Sequence, residues 1–226
     1  DLRVRLSGNL VNLTWRPSRS SGVKYTVVRK TGSRPISVAD GVCLATVAAC
    51  SFDDVSAEVG LPNFYGAFAV RGTAVSSDGA LLQVPVQILG EVTNLTPRIE
   101  DRRVLLQWMS PPNVHRVLVS RSAGAFVKTP REGQDVPVLG DGQAVDSDVE
   151  NGRRYFYTVF SQFKTHDGEI VTTEGVGIQV VPQRPPDPIR ELSIASEGSA
   201  GERRVRIRWV PSAIGEVLIV RSDAPL

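Results

Sequence analysis

The sequence predicts an all-β protein made of repeated two-sheet sandwiches. Three observations carry this: one motif written three times, apolar alternation of period two, and closely spaced turn signals without helical periodicity. The first copy reads Val11-Asn-Leu13-Thr-Trp15-Arg-Pro17, followed by Tyr25-Thr-Val27-Val-Arg29. The second reads Val104-Leu-Leu106-Gln-Trp108-Met-Ser-Pro111, then Val117-Leu-Val119-Ser-Arg121. The third reads Val205-Arg-Ile207-Arg-Trp209-Val-Pro211, then Val217-Leu-Ile219-Val-Arg221. The chain has 3 Trp, so each marks one copy. Self-similarity at a fixed period signals a tandem array. The Trp spacings, 93 and 101 residues, suit independent small domains and are too long for a solenoid repeat.

Each element follows in order. Val11, Leu13 and Trp15 alternate with Asn12 and Thr14, the mark of a strand with one buried face, and the later copies do the same. A proline shortly after each Trp ends the strand, because it cannot donate to the ladder. A polar loop and a second apolar strand ending in arginine follow. In the second copy Val145-Asp146, the stretch from Val149 to Ser161, the turn His166-Asp167-Gly168 and the run from Ile170 to Val181 complete a sandwich. Turn signals recur at Asp40-Gly41, Asp78-Gly79, Gly140-Asp-Gly142 and Asp167-Gly168, as in all-β domains. The expected units are residues 1–91, residues 92–182, and residues 183–226. The last is a Pro-rich linker with the truncated start of a third unit, as only 17 residues follow Trp209. Half a sandwich cannot bury its inner face, so the chain reads as a piece of a longer protein. Pro182-Gln-Arg-Pro185-Pro186-Asp-Pro188 favours an extended, semi-rigid spacer.

These residues resemble fibronectin type III domains of the immunoglobulin-like class. The resemblance rests on the Leu-x-Trp openings, the strand pair that follows, and Asp146…Val149-x-Asn-Gly152-x-x-Tyr155-x-Tyr157-x-Val159. It implies that Trp15, Trp108 and Trp209 pack against the opposite sheet, and that Tyr155 forms a tyrosine corner beside core Tyr157. The first unit departs from the pattern. Keeping the Asp-Gly turns in step puts Gly66 at the Tyr155 position and faces Phe64, Phe68 and Val70 inward. A shift of one puts Tyr65 there and faces Tyr65, Ala67 and Ala69 inward. The bulkier first set is the expected core.

Formal charge is +2 overall, and +2, −1 and +1 over the three segments. No segment has the basic excess of a phosphate-tracking surface, which argues against nucleic acid as partner. No run of about 18 apolar residues exists to insert in a membrane. The cations are almost all Arg, with four Lys, a composition that leans bacterial.

Candidate chemistry is sparse. If Thr46 and Val47 make a turn, Cys43 and Cys50 face each other across a hairpin and a disulfide is geometrically possible; the alternative is two small buried thiols. His115, His166, Asp167, Gly168 and Glu169 fall on loops at one pole of the second unit and form the expected binding surface, against the simpler reading of solvated loop side chains. If His115, His166, Asp167 and Glu169 approach each other they could bind a metal or act on a substrate, but no nucleophile with a base and an orienting partner is recognisable, and the expectation is no catalytic centre, metal site or cofactor. Arg29, Arg121 and Arg221 recur at one position, with Asp53 or Asp146 as expected ion-pair partners. Arg203-Arg204-x-Arg206-x-Arg208 is the densest basic stretch. Asn12-Leu-Thr14 and Asn94-Leu-Thr96 match glycosylation acceptors. A glycan-binding face would draw on Phe126, Phe160 and Phe163.

The expected function is a non-catalytic spacer or interaction module of a larger protein, with other protein domains as partners. The alternatives are an accessory, glycan-contacting region of a secreted enzyme, and an intracellular bacterial scaffold. Compartment stays open between envelope and cytoplasm, with an oxidised Cys43–Cys50 pair favouring secretion.

Overall fold

The computed structural model describes residues 1–140, 142–184, 186, 188–197, 204–210 and 216–219. The first sandwich comprises β1 (Leu2–Ser7), β2 (Leu10–Trp15), β3 (Lys24–Thr31), β4 (Val42–Val47), β5 (Ser51–Asp54), β6 (Pro62–Arg71), β7 (Ala74–Val75), β8 (Ala80–Leu81) and β9 (Val86–Gln87). One sheet is ordered β1-β2-β5; the other is β4-β3-β6-β7, with β8 and β9 also on β6. The second comprises β10 (Thr93–Glu100), β11 (Arg103–Met109), β12 (Arg116–Ser122), β13 (Gln134–Val136), β14 (Val138–Gly140), β15 (Gln143–Asp146), β16 (Tyr155–Lys164), β17 (Ile170–Thr172) and β18 (Val176–Val180). Its sheets are β10-β11-β15-β14 and β13-β12-β16-β17, with β18 also on β16. β19 (Arg190–Glu197) and β20 (Arg204–Val210) form an antiparallel hairpin.

Alternation builds the interior as the sequence requires. Val11, Leu13 and Trp15 are buried with Tyr25, Val27, Tyr65, Ala67 and Ile88 in one cluster. Val104, Leu106 and Trp108 are buried with Val119, Tyr155, Tyr157 and Val159 in another. A buried Trp removes about 150–250 Å² from water, which makes each the largest single contribution to its cluster. Trp15 meets Tyr25 edge-on at 5.6 Å between ring centres. The Trp108 indole N–H donates to Ser110 Oγ at 3.2 Å.

The expected core face of β6 is corrected. Arg29 pairs with Tyr65, as Arg121 pairs with Tyr157. Tyr65 is therefore the counterpart of Tyr157, and Asn63 stands where Tyr155 does. Tyr65 and Ala67 face the core, with Ala69 partly buried against it. Phe64 and Phe68 are buried as well, but on the other face of the sheet. Bulk misled the reading because a loop covers that outer face: a Cβ on Gly79 would lie 2.7 Å from the Phe68 ring. Tyr155 does make the corner, its hydroxyl accepting from the Glu150 N–H at 3.0 Å.

The hairpin geometry proposed for the cysteines is corrected too. Thr46 and Val47 belong to β4, which pairs with β3, whereas β5 pairs with β2 in the opposite sheet. Cys43 and Cys50 are free thiols, the first exposed.

Candidate functional site

Among the loop residues, His166, Asp167 and Asn113 lie at the junction between the two sandwiches, with Gln87 and Glu91 beside them. The turn before β6 carries Val59 and Gly60, and the loop after β11 carries Pro112 and Asn113. The Asn113 side-chain amide donates to the Val59 carbonyl at 2.9 Å. The Gln87 amide donates to the Gly60 carbonyl at 2.7 Å and to the Lys164 carbonyl of the second sandwich at 3.2 Å. Glu91 lies between the units and accepts from Thr173 Oγ1 at 2.6 Å and the Gly175 N–H at 2.8 Å. These are charge-assisted bonds, roughly twice as strong as neutral ones.

Close approach makes this seam possible. Gly60 has φ +82, and a Cβ there would sit 2.7 Å from Asn113 Cβ and 2.9 Å from Phe163. Gly90 is wedged likewise between Val59 and Pro111. Any side chain at either position would push the sandwiches apart.

Beside the seam, the His166 ring meets the Phe64 ring edge-on at 5.2 Å. Arg34, Gln83, Val84, Phe64, His166 and Asp167 line a pocket of about 480 Å³. Arg34 donates to Gln83 at 2.8 Å across its rim. The structure thus brings His166 and Asp167 to the junction, whereas the His115 N–H caps the start of β12 by donating to the Gln162 carbonyl at 2.8 Å. Gly168 closes its turn with an N–H donated to Thr165. No group of three or more metal-ligating side chains occurs among the described residues.

A second polar arrangement is repeated inside each sandwich. Arg121 donates to both Asp146 oxygens at 2.9 Å and to Asp148 Oδ2 at 3.1 Å, with further bonds to the Asp148 carbonyl and Gln134. The Tyr157 hydroxyl donates to Asp146 at 2.9 Å. In the first sandwich Arg29 donates to Asp54 at 2.7 Å, and Tyr65 does so at 2.8 Å. The partner of Arg29 is therefore Asp54. Asp53 points outward, where it accepts from Asn12 at 2.6 Å.

Burial pushes the Asp54 carboxyl up, but bonds from Ser56, Tyr65 and Arg29 hold it below the usual range. Burial, then the neighbouring Asp54 carboxylate, raises the Tyr65 phenol; burial and Asp146 do the same to Tyr157. Burial works against the Arg121 charge, yet Asp148 and Asp146 leave its pKa raised. These groups join the two sheets of each sandwich, and Arg121 and Asp148 also line a surface pocket of about 340 Å³ with Arg102, Arg153 and Tyr155.

Phe160 and Phe163 are fully buried, and Phe126 leans edge-on against Phe156 at 5.1 Å, so the three make no flat aromatic face. Asn94 bonds to the Met109 sulfur at 3.1 Å. Trp209 lies on β20, and Arg206 and Arg208 are exposed there; Arg203 and Arg221 lie outside the described residues. Glu91, Gln87 and Asn113 were not singled out from sequence. The only signal for Glu91 was a lone carboxylate at the boundary between the expected units 1–91 and 92–182.

No protein-family model matches the chain, and no curated protein does. Solved structures do. A two-domain fibronectin type III segment of chicken tenascin superposes with TM-score 0.59 at 15% identity, over 80% of this chain and 97% of that one. A fibronectin-domain segment of chicken contactin matches with TM-score 0.32 at 14% identity, over 81% of this chain and 66% of that one. The chicken interferon gamma receptor alpha chain matches with TM-score 0.42 at 14% identity, over 80% and 97%. The fold is a tandem fibronectin type III-like array of β-sandwiches.

Proposed function

We propose that the chain is a non-catalytic spacer and protein-interaction module of a larger multidomain protein, with units at 1–91, 92–182 and 183–226. The junction supports this most directly. The side chains of His166, Asn113, Gln87 and Glu91 are engaged in holding one sandwich against the next. A seam with four named side-chain tethers sets an orientation, which is what a spacer supplies to the domains it connects. Its surfaces are offered to other protein domains; neither a nucleic acid nor a cofactor enters the reading.

The test is a distance measurement by pulsed electron resonance. One spin label sits on exposed Cys43 in a Cys50→Ser background, and the other on Arg98→Cys in β10. A single narrow distance is expected. A broad distribution, with both units still folded, would overturn the spacer reading.

A further inference from the structure

The first junction can be compared with the second position by position, because strand pairing fixes the equivalences. Asn63 pairs with Val86 as Tyr155 pairs with Val180, so Val86 corresponds to Val180 and Gln87 to Val181. The Gly60 N–H donates to the Ile88 carbonyl at 2.8 Å, and the Gly152 N–H to the Pro182 carbonyl at 2.8 Å, in agreement with that register. Thr93 pairs with Met109 as Arg190 pairs with Val210. Glu91 therefore corresponds to Pro188 and Val92 to Ile189.

Each polar tether of the first junction has lost its chemistry at the second. Gln87, which donates to both units, is replaced by Val181, which has no side-chain donor. Glu91, which accepts from Thr173 and Gly175, is replaced by Pro188, which has neither carboxylate nor N–H. Asn113 has no counterpart, as no asparagine lies between Trp209 and Val217. The connection is also 3 residues longer, from Pro182 to Ile189 against Ile88 to Val92. Gly60 is packed against Asn113 and Phe163.

We infer that the chain contains two junctions of opposite mechanics: a docked elbow latched by Glu91, then a proline stand-off that leaves the third unit undocked. This rests on the spacer reading and deepens it. The added residues are rich in proline, which extends at about 3.1 Å per residue and holds its neighbours apart rather than folding back. The first two units would thus move as one body, and the third, held off at the length of the semi-rigid spacer, would turn about the residues that flank the prolines.

The experiment uses the whole chain and the same label pairs, with a second pair at Arg98→Cys and Arg208→Cys and both native cysteines changed to serine. Three results are expected together: one narrow distance across the first junction, a broad distribution across the second, and loss of the narrow peak in Glu91→Ala. If the Arg98–Arg208 distance is as narrow as the first, the stand-off is refuted. If Glu91→Ala leaves the first distance narrow, the latch is refuted, while the spacer reading survives. A broad first distance in the unmodified junction instead removes the spacer reading itself. Should Glu91→Ala lower the melting temperature of the second sandwich, Gln87→Ala with Asn113→Ala tests the tethers from the other side, with the same broadening expected and an unchanged narrow peak counting against the latch.

Discussion

The Tyr65 hydroxyl donates to Asp54 at 2.8 Å across the interior of the first sandwich, joining a strand of one sheet to a strand of the other. Asp54 also receives Arg29, so one carboxylate holds two neighbours from the opposing sheet. Tyr157, Asp146 and Arg121 repeat the arrangement. Removing one member of a buried pair leaves the other charge unpaired, at a cost of about 3–5 kcal/mol. Asp146→Ala is therefore expected to destabilise the second sandwich by that amount and leave the first untouched. Denaturant titration followed separately at each sandwich checks it; a loss under about 1 kcal/mol, the range of exposed pairs, would mean that the network is decorative.

Stability should fall at both ends of the pH range, for different reasons. Asp54 is held below its ordinary value, so the unfolded chain binds the extra proton. Its contribution is present above the unfolded carboxyl value, about pH 4, and is lost as pH falls further. Tyr65 and Tyr157 are raised, so folding favours the neutral phenol. That contribution is present below about pH 10 and is lost as pH rises beyond it. Melting temperature against pH should show both declines, and Tyr65→Phe should remove part of the alkaline one.

Trp108→Ala should unfold the second sandwich alone. The expected cost is about 3–5 kcal/mol, a large share of the roughly 5–15 kcal/mol that a domain of this size has. Calorimetry should keep the transition of the first sandwich, whose buried cluster shares no residue with that of the second. Joint loss of both transitions would show that the sandwiches do not fold independently.

Gly142 and Gly8 separate backbone strain from steric clash. Both have positive φ, +79 and +57. A Cβ on Gly142 would lie 2.3 Å from the Trp108 carbonyl oxygen, which is backbone and cannot swing aside, whereas Gly8 has open space. Gly8→Ala should cost about 1–2 kcal/mol from the left-handed conformation alone. Gly142→Ala should cost clearly more and break the Trp108 N–H bond to the Gly142 carbonyl. Equal losses in the two variants would contradict this geometry.

Much of the architecture was legible because alternation is local. Val104, Leu106 and Trp108 announce their face within five residues, and packing obeys it. The strand order within each sheet was not read from the sequence; only the fold class followed, through the repeat and the family resemblance. The partner of Arg29 was misread by one residue, although the chain contains the answer: Arg29 to Asp54 and Arg121 to Asp146 both span 25 positions. The core face of β6 was misread because both of its faces are apolar, and no period distinguishes a core from a covered outer surface. At the junction only His166 and Asp167 were legible in the sequence, and as a binding surface rather than as a contact between sandwiches. Gln87, Glu91 and Asn113 are ordinary polar residues whose partners lie far along the chain, and only the folded geometry pairs them.

The covered outer faces bear on any use of this chain as an engineering scaffold. Loops at sandwich ends are the usual place to graft foreign sequence. Here the segments around Gly79 and Gly175 are lids seated on Phe68 and Phe160, so replacing them would bare an aromatic sheet surface and invite strand-to-strand aggregation. The tight turns at Gly8, Gly22 and Gly72 touch nothing within 4 Å of the added carbon. Insertions belong there, where the protein has no interior to protect.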